Sequence, residues 1–432
     1  MKYRVEASWP NLIDMSVQPQ ENIRICIVDA RWAQQREQNH ETTAADRKAP
    51  GSPASQPFPG SNGEKQRLFS NLSLSHSQCA AAFPGLFNEI EDAVSRGPFT
   101  LTWSRLGEPL QGRIKDNQER TAALNQLYRA IVTSPEPLPD TLFALNIQDR
   151  PMAQSWSYAR PADPTATKAG DFLMPHFAFW AWPLRYIGSM DRALTAITEI
   201  EANRTFQAKI PQAIWRGTPW FNDVQNHDLR KRLIQVTTGK PWADIQALKW
   251  ETNGQTASNG LAIEDFCRYK YIIYTEGVTY SGRLPFHQAC RSVILTPPMA
   301  WMLHTTHLVR PVFSSTLLQT EHYLGPPHQS DRIKRAWRTD LGAEDANLVM
   351  VSPDWSDLES TVAWLENHPT IAEGIAHRQR ELFYEAGYLS PAAETCYWRA
   401  LIRGWSKIVE PEGSEWSEHE GVRWELFSLG EF

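Results

Sequence analysis

The 432-residue sequence lacks several features that would assign it to common classes of protein. It contains no uninterrupted apolar run of membrane-spanning length, and its first residues, MKYRVEASWPNLIDM, lack the basic region, apolar stretch and cleavage site of a signal peptide. It also has no excess of positive charge, since 43 lysines and arginines stand against 49 acidic residues. Binding to nucleic acid or to an anionic membrane through bulk charge is therefore not expected.

Cysteine is scarce, and no recognisable metal motif is present. The five cysteines are scattered along the chain and form no C-x-x-C pair, which argues against a zinc or redox motif. Their odd number leaves at least one thiol unpaired, so they do not show whether the chain folds in an oxidising compartment. His304 and His307 have a spacing compatible with a metal pair but no third ligand nearby, and we expect them to pack or to form hydrogen bonds.

A polar segment separates the N-terminal part from the rest of the chain. Residues 33–66 are rich in Pro, Gly, Ser and Gln and cannot bury enough apolar surface to offset the entropy of ordering. We interpret them as a flexible linker within a variable N-terminal segment of residues 1–68. The apolar stretch Ile23–Val28 before the linker could be a strand, and the folded body is expected to begin near Phe69.

Short apolar stretches alternate with amphipathic ones in the rest of the chain, which indicates an α/β architecture with parallel sheets. The predicted helices cover residues 83–94, 193–201, 229–237 and 357–367 and a long C-terminal segment that starts at Pro391 after the N-cap Ser390. Residues 141–146 are predicted to form a strand. The clearest unit is a strand at YIIY, a loop over residues 275–281, a helix over 283–291 and a strand at SVIL.

The loop of this unit is the first candidate site. Ligands of parallel α/β sheets bind beyond the carboxyl ends of the strands, where helix N-termini offer free N–H groups. The loop ends in Ser281-Gly282-Arg283, which supplies a hydroxyl, a flexible residue and a guanidinium at the start of a helix. This set suits a phosphate or a diphosphate. A simple N-cap followed by a surface arginine is the alternative, and both stay open.

Two further candidates follow predicted strands. In Trp215-Arg216-Gly217 the glycine allows close approach of a ligand, and Arg216 could bind the same anion as Arg283. A structural arginine stacked on an aromatic ring is the alternative. Asp149 follows the strand at residues 141–146, where a carboxylate could serve as a general base. Its alternative role is to cap the turn before Pro151.

Together these motifs resemble glycosyltransferase family 90, the capsule-associated-protein (CAP10) type of glycosyltransferase. This family includes fungal xylosyltransferases and animal protein O-glucosyltransferases that act on EGF repeats. The resemblance covers residues 79–405, and FAFWAWP and the last segment are most like the fungal branch. The segments that carry it are, in family order, CAAAFPGLFNEI, LNIQDRP, FAFWAWP, AIWRGTPW, RYKYIIYTEGVTYSGRLPFHQACRSVIL and YLSPAAETCYWRALIRGW.

The resemblance implies an α/β fold of the GT-B kind, with two Rossmann-type lobes whose parallel sheets face a central cleft. We place the acceptor-side lobe at residues 69–203 and the nucleotide-sugar donor lobe at residues 204–385. Residues 386–432 would form a C-terminal helix, which returns to the N-terminal lobe, and a tail.

The resemblance also implies a reaction, the transfer of xylose or glucose from UDP-xylose or UDP-glucose to a hydroxyl of a glycan or protein. Transfer would proceed with inversion and without a metal or other cofactor. No D-x-D triplet is present to hold a divalent ion, so arginines would neutralise the departing diphosphate. Asp149 matches the base that activates the acceptor, and the residues placed at the donor are Arg216, Gly217, Gly277, Ser281 and Arg283. The roles of Trp215 and Glu276, the other two candidates, stay open.

Other functions and locations stay open at this point. The chain could be a soluble transferase for a small-molecule metabolite, or a non-catalytic member of the fold that binds a glycan or a nucleotide. A retaining or hydrolytic enzyme would need a pair of carboxylates, and the sequence shows no second acidic residue in a setting like that of Asp149. The family suggests the Golgi or secretory pathway, whereas the lack of a signal peptide or membrane anchor keeps a cytoplasmic location open.

Overall fold

The structure, a computed structural model, describes residues 62–101, 118–182, 184–221, 226–251, 256–318 and 330–411, and the backbone of residues 23–28. Its helices are α1 (Asn62–Phe69), α2 (His76–Ala82), α3 (Asn88–Ser95), α4 (Gln118–Val132), α5 (Met190–Ala202), α6 (Leu229–Thr237), α7 (Leu284–Gln288), α8 (Ser314–Leu317), α9 (Asp331–Ala336), α10 (Leu358–Asn367), α11 (Pro369–Arg380) and α12 (Pro391–Ser406). Among the described residues, no helix has both the length and the apolar character needed to cross a bilayer.

The strands of the described residues form a larger sheet, a smaller sheet and two isolated strand pairs. They are β1 (Ile23–Val28), β2 (Phe99–Leu101), β3 (Thr141–Asn146), β4 (Ser155–Ser157), β5 (Arg160–Pro161), β6 (Asp171–Leu173), β7 (Ile210–Gly217), β8 (Ala243–Ala247), β9 (Tyr269–Ile273), β10 (Val293–Thr296), β11 (Trp301–Met302), β12 (Pro311–Phe313), β13 (Leu348–Met350) and β14 (Val409–Pro411). The small pairs are β5 with β11 and β2 with β14.

The larger sheet has the order β12-β13-β10-β9-β7-β8, and all of its strand pairs are parallel. This confirms the predicted α/β class with parallel sheets, and the predicted unit is present as β9, α7 and β10. The chain runs from β7 outward to β8 and then returns to place β9 on the other side of β7. The order therefore reverses between β7 and β9, and the crevice beyond the carboxyl ends of these two strands is the position where ligands bind in such sheets.

The smaller sheet has the order β1-β3-β4-β6, with β3, β4 and β6 parallel and β1 antiparallel to β3. The predicted strands at Ile23–Val28 and Thr141–Asn146 are therefore both present. Aromatic rings fill the core behind this sheet, where Trp156 stacks on Phe143 with ring centroids 3.8 Å apart and meets the edge of Trp405 at 5.8 Å. This core fixes β3, and thereby the loop that carries Asp149.

Helix α12 packs against the smaller sheet and the helices beside it. Ser390 caps it as predicted, with its hydroxyl accepting the N–H of Ala393 at 3.2 Å. Its Arg399 donates to the carbonyl of Ala130 on α4 at 2.8 Å, and the indole of Trp405 donates to the carbonyl of Leu142 on β3 at 2.6 Å. The C-terminal helix is thus held by the elements of residues 62–202 rather than by the larger sheet.

The structure differs from the sequence predictions at the start of the folded body. Of the linker predicted over residues 33–66, residues 33–61 lie outside the described part, but residues 62–66 begin α1. This helix forms because Leu68 and Phe69 at its end pack against the core. The helix predicted over residues 83–94 begins later, at Asn88, because a turn with Gly85 at φ 78° precedes it.

Four of the five cysteines form two disulfides, Cys79–Cys396 and Cys267–Cys290, a pairing that the sequence did not reveal. The first joins α2 to α12. The second spans 23 positions of the chain and joins the residues just outside β9 and α7. It therefore closes a loop that contains β9, the candidate anion-binding loop and α7.

Candidate active site

The crevice between β7 and β9 is held together by contacts between the loops that follow these strands. The indole of Trp215 donates to the hydroxyl of Thr275 at 3.0 Å, and the guanidinium of Arg283 donates to the carbonyl of Arg216. Gly217 is required here, because a Cβ at this position would lie 2.4 Å from the Trp215 ring. Trp215, with 1% of its surface exposed, is therefore a core residue that joins the two strand ends.

Arg216 does not present its guanidinium to the crevice, contrary to expectation. The guanidinium pairs with both carboxylate oxygens of Asp244 on β8, at 2.8 and 2.9 Å, and donates to the carbonyls of Trp215, Asp244 and Asn259. These five bonds occupy all five N–H donors of an arginine. A structural role therefore fits the geometry of Arg216, although its partner is the carboxylate of Asp244 and not the aromatic ring of the alternative given above. Its contribution to the crevice is the carbonyl that accepts from Arg283.

The second arginine of the crevice is instead Arg230, the second residue of α6. Its guanidinium donates to the carbonyls of Thr218 at 2.9 Å and Glu276 at 3.0 Å. Burial lowers the pKa of Arg283 to about 10, and burial together with the charge of Arg283 lowers the pKa of Arg230 to about 9. Two neighbouring buried guanidinium groups repel each other, so a multiply charged anion between them would be stabilised by both.

The loop between β9 and α7 has a shape that depends on Gly277 and Ser281. The N–H of Gly277 donates to the carbonyls of Thr279 and Tyr280, and the N–H of Ser281 donates to the Tyr274 hydroxyl at 3.0 Å. A Cβ at Gly277 would lie 3.0 Å from the Tyr280 carbonyl oxygen and 3.6 Å from Nη2 of Arg230. A Cβ here would therefore press on the Tyr280 carbonyl and lie in contact with the guanidinium. The Ser281 hydroxyl lies 3.5 Å from Nε of Arg283, at the limit of a hydrogen bond.

Glu276, whose role the sequence left open, fixes the loop between β9 and α7 through hydrogen bonds. Its carboxylate accepts the N–H of Ala300 at 3.0 Å and the N–H of Trp301 at 2.9 Å. Its carbonyl accepts from Arg230, as described above. Glu276 therefore anchors the crevice to the start of β11, and its buried carboxylate is held by backbone N–H groups.

Asp149 reaches this crevice from the smaller sheet. Asn146, the last residue of β3, closes the turn before it by accepting from the N–H of Gln148 at 3.0 Å and donating to the carbonyl of Arg150 at 2.8 Å. The carbonyl of Asp149 accepts a hydrogen bond from the hydroxyl of Thr279, which ties its loop to the one after β9. The loop of Asp149 thus meets the anion-binding loop although the two follow different sheets.

The charge of Asp149 is coupled to the crevice. Asp149 is an exposed residue, but the protein around its carboxylate reduces the hydration of that group, and this desolvation raises its pKa. The charge of Arg230 acts in the opposite direction and lowers the pKa of Asp149. The structure therefore brings Asp149, Gly277, Ser281 and Arg283 together, and adds Arg230 in the place expected for Arg216.

Sequence reasoning missed two functional candidates, Arg230 and Glu119. Arg230 stands at the start of a helix that the sequence did predict, directly after the loop leaving β7, and this position was the available signal. Glu119 is the second residue of α4, and its pKa is raised to about 7 by burial and by the charge of Asp149. The charge of Asp149 therefore acts on a second carboxylate, although the sequence showed no second acidic residue in a setting like that of Asp149. No local pattern indicates that the first turn of α4 reaches Asp149.

His304 and His307 are held by packing and hydrogen bonding, and a cluster of other residues of metal-ligating type is bonded to partners within the protein. His304 is buried, with its ring 5.0 Å from that of Tyr397, and His307 lies with Nε2 2.8 Å from the carbonyl oxygen of Gly85. In the part of the chain that the structure describes, the group spaced for a metal ion consists of Glu201, Cys267 and Cys290. The two sulfurs are bonded to each other, and Glu201 pairs with Lys209 at 2.7 Å.

A cavity of ≈ 170 Å³ opens beside the loop of Asp149. Pro151, Met152 and Phe172 give it an apolar lining, Ser155 and Ser157 lie among the polar residues that line it, and the exposed Lys168 is also part of its wall. This mixture of lining groups suits a ligand that has both hydroxyl groups and apolar faces.

The chain is similar in sequence to a known protein family and to several known proteins. The model of the family described as glycosyl transferase family 90 matches residues 116–337. The chain is 24% identical over 291 residues to an O-glucosyltransferase rumi homolog of Anopheles gambiae, covering 63% of this chain and 62% of that protein. It is 21% identical over 290 residues to Protein O-glucosyltransferase 1 of Homo sapiens, covering 63% and 64%. The chain thus spans less than two thirds of the length of these relatives.

Proposed function

Because this chain belongs to glycosyl transferase family 90, we propose that it transfers a sugar from a nucleotide-sugar to an acceptor hydroxyl. The proposed donor is UDP-glucose or UDP-xylose, and the names of the relatives, all O-glucosyltransferases, favour glucose. The proposed acceptor is a hydroxyl of a protein or glycan. Two disulfides favour an oxidising compartment such as the secretory pathway, where such acceptors occur.

One observation carries this proposal. At the crevice of the larger sheet, Arg283 and Asp149 are both close enough to Arg230 for their charges to act on it. Two positive charges that converge at the carboxyl ends of parallel strands suit the diphosphate of a nucleotide-sugar. The carboxylate beside them suits a base for the acceptor. A protein that merely bound a glycan would need neither group in this arrangement.

We infer a two-lobed arrangement of the GT-B kind around this crevice. The larger sheet, with both arginines, would form the donor lobe, and the smaller sheet, with Asp149 and the cavity beside it, would form the acceptor lobe. The contacts of α12 with α4 and β3 support a C-terminal helix that belongs to the acceptor lobe. The Thr279–Asp149 hydrogen bond then crosses from one lobe to the other.

The proposed mechanism is a single displacement with inversion at the anomeric carbon. Asp149 accepts the proton of the acceptor hydroxyl while the hydroxyl oxygen bonds to the anomeric carbon. The bond from that carbon to the diphosphate oxygen breaks on the opposite face, and its electron pair leaves with UDP. Arg230 and Arg283 stabilise the negative charge that develops on UDP, and no metal ion is needed in this scheme. Transfer that is unchanged by a chelator would support that point.

Substitution of Asp149 tests the base. Asp149→Asn keeps the shape of the side chain but accepts no proton, so it should abolish transfer while UDP still binds in calorimetry. Substantial transfer by Asp149→Asn would remove this residue from the mechanism. Loss of UDP binding in the same variant would point to a structural defect rather than a catalytic one.

Substitution of Arg283 tests the donor site. Arg283→Ala should weaken UDP binding and slow transfer by about 100- to 1000-fold, the typical cost of losing one donor to a developing charge. Unchanged UDP affinity in calorimetry would refute the assignment. A panel of UDP-sugars in a thermal-shift assay, followed by UDP release with protein, glycan and small-molecule acceptors, distinguishes the proposed transferase from one acting on metabolites and from a non-catalytic protein.

A further inference from the structure

The chain contains two Asn-x-Ser/Thr triplets, the acceptor sequence for N-linked glycans. They are Asn71-Leu72-Ser73 and Asn203-Arg204-Thr205, and neither has a proline at its middle position, which would prevent modification. Such a triplet is short enough to arise by chance, and an occupied one has to lie at the surface of the folded protein. The structural setting of each asparagine therefore decides whether the triplet is a candidate modification site.

Asn71 lies in the turn between α1 and α2, with its amide nitrogen available. Both Asn71 and Ser73 are exposed. The side-chain oxygen Oδ1 of Asn71 accepts the N–H of Ser73 at 2.9 Å, so the two defining residues of the triplet are in contact. Within the part of the chain that the structure describes, Nδ2 of Asn71 donates to no acceptor. The atom to which an N-glycan is attached is thus exposed and has no structural role.

The turn that carries Asn71 is held by the protein from its inner side. Arg399 on α12 donates to the carbonyl of Leu72 at 2.5 Å and to the carbonyl of Leu74 at 3.0 Å, and the side chain of Leu74 is buried. The neighbouring residues Ser70 and Ser77 are exposed and have small polar side chains. A glycan on this turn would therefore lie on a polar surface and would displace no core residue.

Asn203 has a different setting, although it is also exposed. It is the C-cap residue of α5, and its Nδ2 donates to the carbonyl of Glu199 at 2.8 Å. This bond satisfies one of the last carbonyls of the helix, which have no partner within the helix itself. The amide nitrogen of Asn203 thus has a structural role that the amide nitrogen of Asn71 lacks. Of the two triplets, the one at Asn71 has the better geometry for modification.

We propose that Asn71 is a site of N-linked glycosylation, with a lipid-pyrophosphate-linked oligosaccharide as the donor and the cell's oligosaccharyltransferase as the catalyst. Nδ2 of Asn71 bonds to the anomeric carbon of the first sugar and loses one proton. The bond from that carbon to the pyrophosphate oxygen breaks, and its electron pair leaves with the lipid pyrophosphate. The two disulfides support this site, because they form in the same secretory compartment in which N-glycans are attached. The inference goes beyond the proposed function and does not depend on it.

The test is a measurement of site occupancy in the full-length protein purified from the cells that make it. Treatment with peptide N-glycosidase in heavy-oxygen water releases an N-glycan and leaves a labelled aspartate at the modified position. Mass spectrometry of the peptides should find this label at position 71. An unlabelled asparagine at position 71 would overturn the proposal, and so would a label at position 203 without one at position 71.

Three variants show whether the triplet itself directs the modification. Ser73→Ala leaves Asn71 in place but removes the hydroxyl of the triplet, so the protein should lose the glycan and migrate faster in gel electrophoresis. Ser73→Thr preserves the triplet and should keep the wild-type mobility. Asn203→Gln is the matched control and should leave the glycopeptide of Asn71 unchanged. A glycan that persists on Asn71 in Ser73→Ala would contradict the assignment to this triplet.

The readout of this test is a mass, which separates its failure from failure of the proposed function. An unmodified Asn71 in a protein that transfers sugar would overturn the glycosylation site alone. A modified Asn71 in a protein that transfers no sugar from any UDP-sugar would overturn the proposed function alone. Ser73→Ala should retain the UDP affinity of wild type in calorimetry, because Ser73 belongs to the turn before α2 and not to the crevice.

Discussion

The disulfide Cys267–Cys290 provides the sharpest test of how the donor crevice is built. It closes the segment that contains β9, the loop with Gly277, Ser281 and Arg283, and α7. The perturbation is the double substitution Cys267→Ser/Cys290→Ser, which frees both ends of this segment and leaves neither of the two sulfurs behind as an unpaired thiol. We expect a loss of stability and, in addition, a loss of UDP affinity, because the loop would no longer be closed at its base.

The size of the stability change follows from the length of the closed segment. With a separation of 23 positions, the chain-entropy relation gives a stabilisation of about 3.4 kcal/mol at 25 °C. An unfolding entropy of about 2.1 cal/mol/K per residue over 432 residues converts this into a decrease in Tm of roughly 4 °C, if the chain unfolds as one unit. Differential scanning calorimetry measures this change directly.

The matched control is Cys79→Ser/Cys396→Ser, which removes the other disulfide. Its separation of 317 positions gives a larger entropic term, about 5.7 kcal/mol, but it joins α2 to α12 away from the donor crevice. The control should therefore lose more stability and yet keep its UDP affinity at temperatures below unfolding. Equal UDP affinity in the two double variants would refute the idea that the Cys267–Cys290 bond organises the donor loop.

Three further predictions concern the same crevice. Arg230→Met should weaken UDP binding with little effect on folding. Arg216→Met should instead destabilise the fold by roughly 1–3 kcal/mol, because Asp244 loses its arginine partner. Urea unfolding and UDP titration of both variants measure these effects, and the opposite pattern would show that Arg216 is the anion ligand. UDP affinity should decrease as the pH rises through about 9 to 10, because Arg230 and Arg283 lose their charge there, and a flat calorimetric profile over this range would contradict it. Gly277→Ala should lower UDP affinity while Tm changes little, because the new Cβ lies against the Tyr280 carbonyl and near Nη2 of Arg230; unchanged UDP binding would show that this space is not needed.

The elements that the sequence predicted best depend on local patterns. The strands at YIIY and SVIL are short apolar runs, and both are buried in the middle of the larger sheet, next to each other. Two adjacent residues, the N-cap Ser390 and the first helical residue Pro391, specify where α12 starts. The position of Asp149 after β3 was also predictable, because Asn146 closes the turn through its own side chain.

The parts that the sequence did not predict depend on contacts between distant residues. Arg216 and Arg230 are 14 positions apart, and the one that faces the crevice is decided by Asp244, which pairs with Ile214 across β7 and β8. Nothing in the residues around Arg216 reveals this partner. Likewise, the position of α4, which carries Glu119, depends on its packing against the distant segment of residues 176–180, where Gln126 donates to the carbonyl of His176. The pairing of the cysteines is non-local in the same way.

The hydrogen bond from Thr279 to the carbonyl of Asp149 has a kinetic consequence. Thr279 belongs to the loop that would close around the nucleotide, so occupancy of the donor pocket would also immobilise the backbone of the base. An enzyme built this way should follow compulsory-order kinetics, in which the acceptor binds productively after the nucleotide-sugar, and UDP should inhibit competitively against the donor alone.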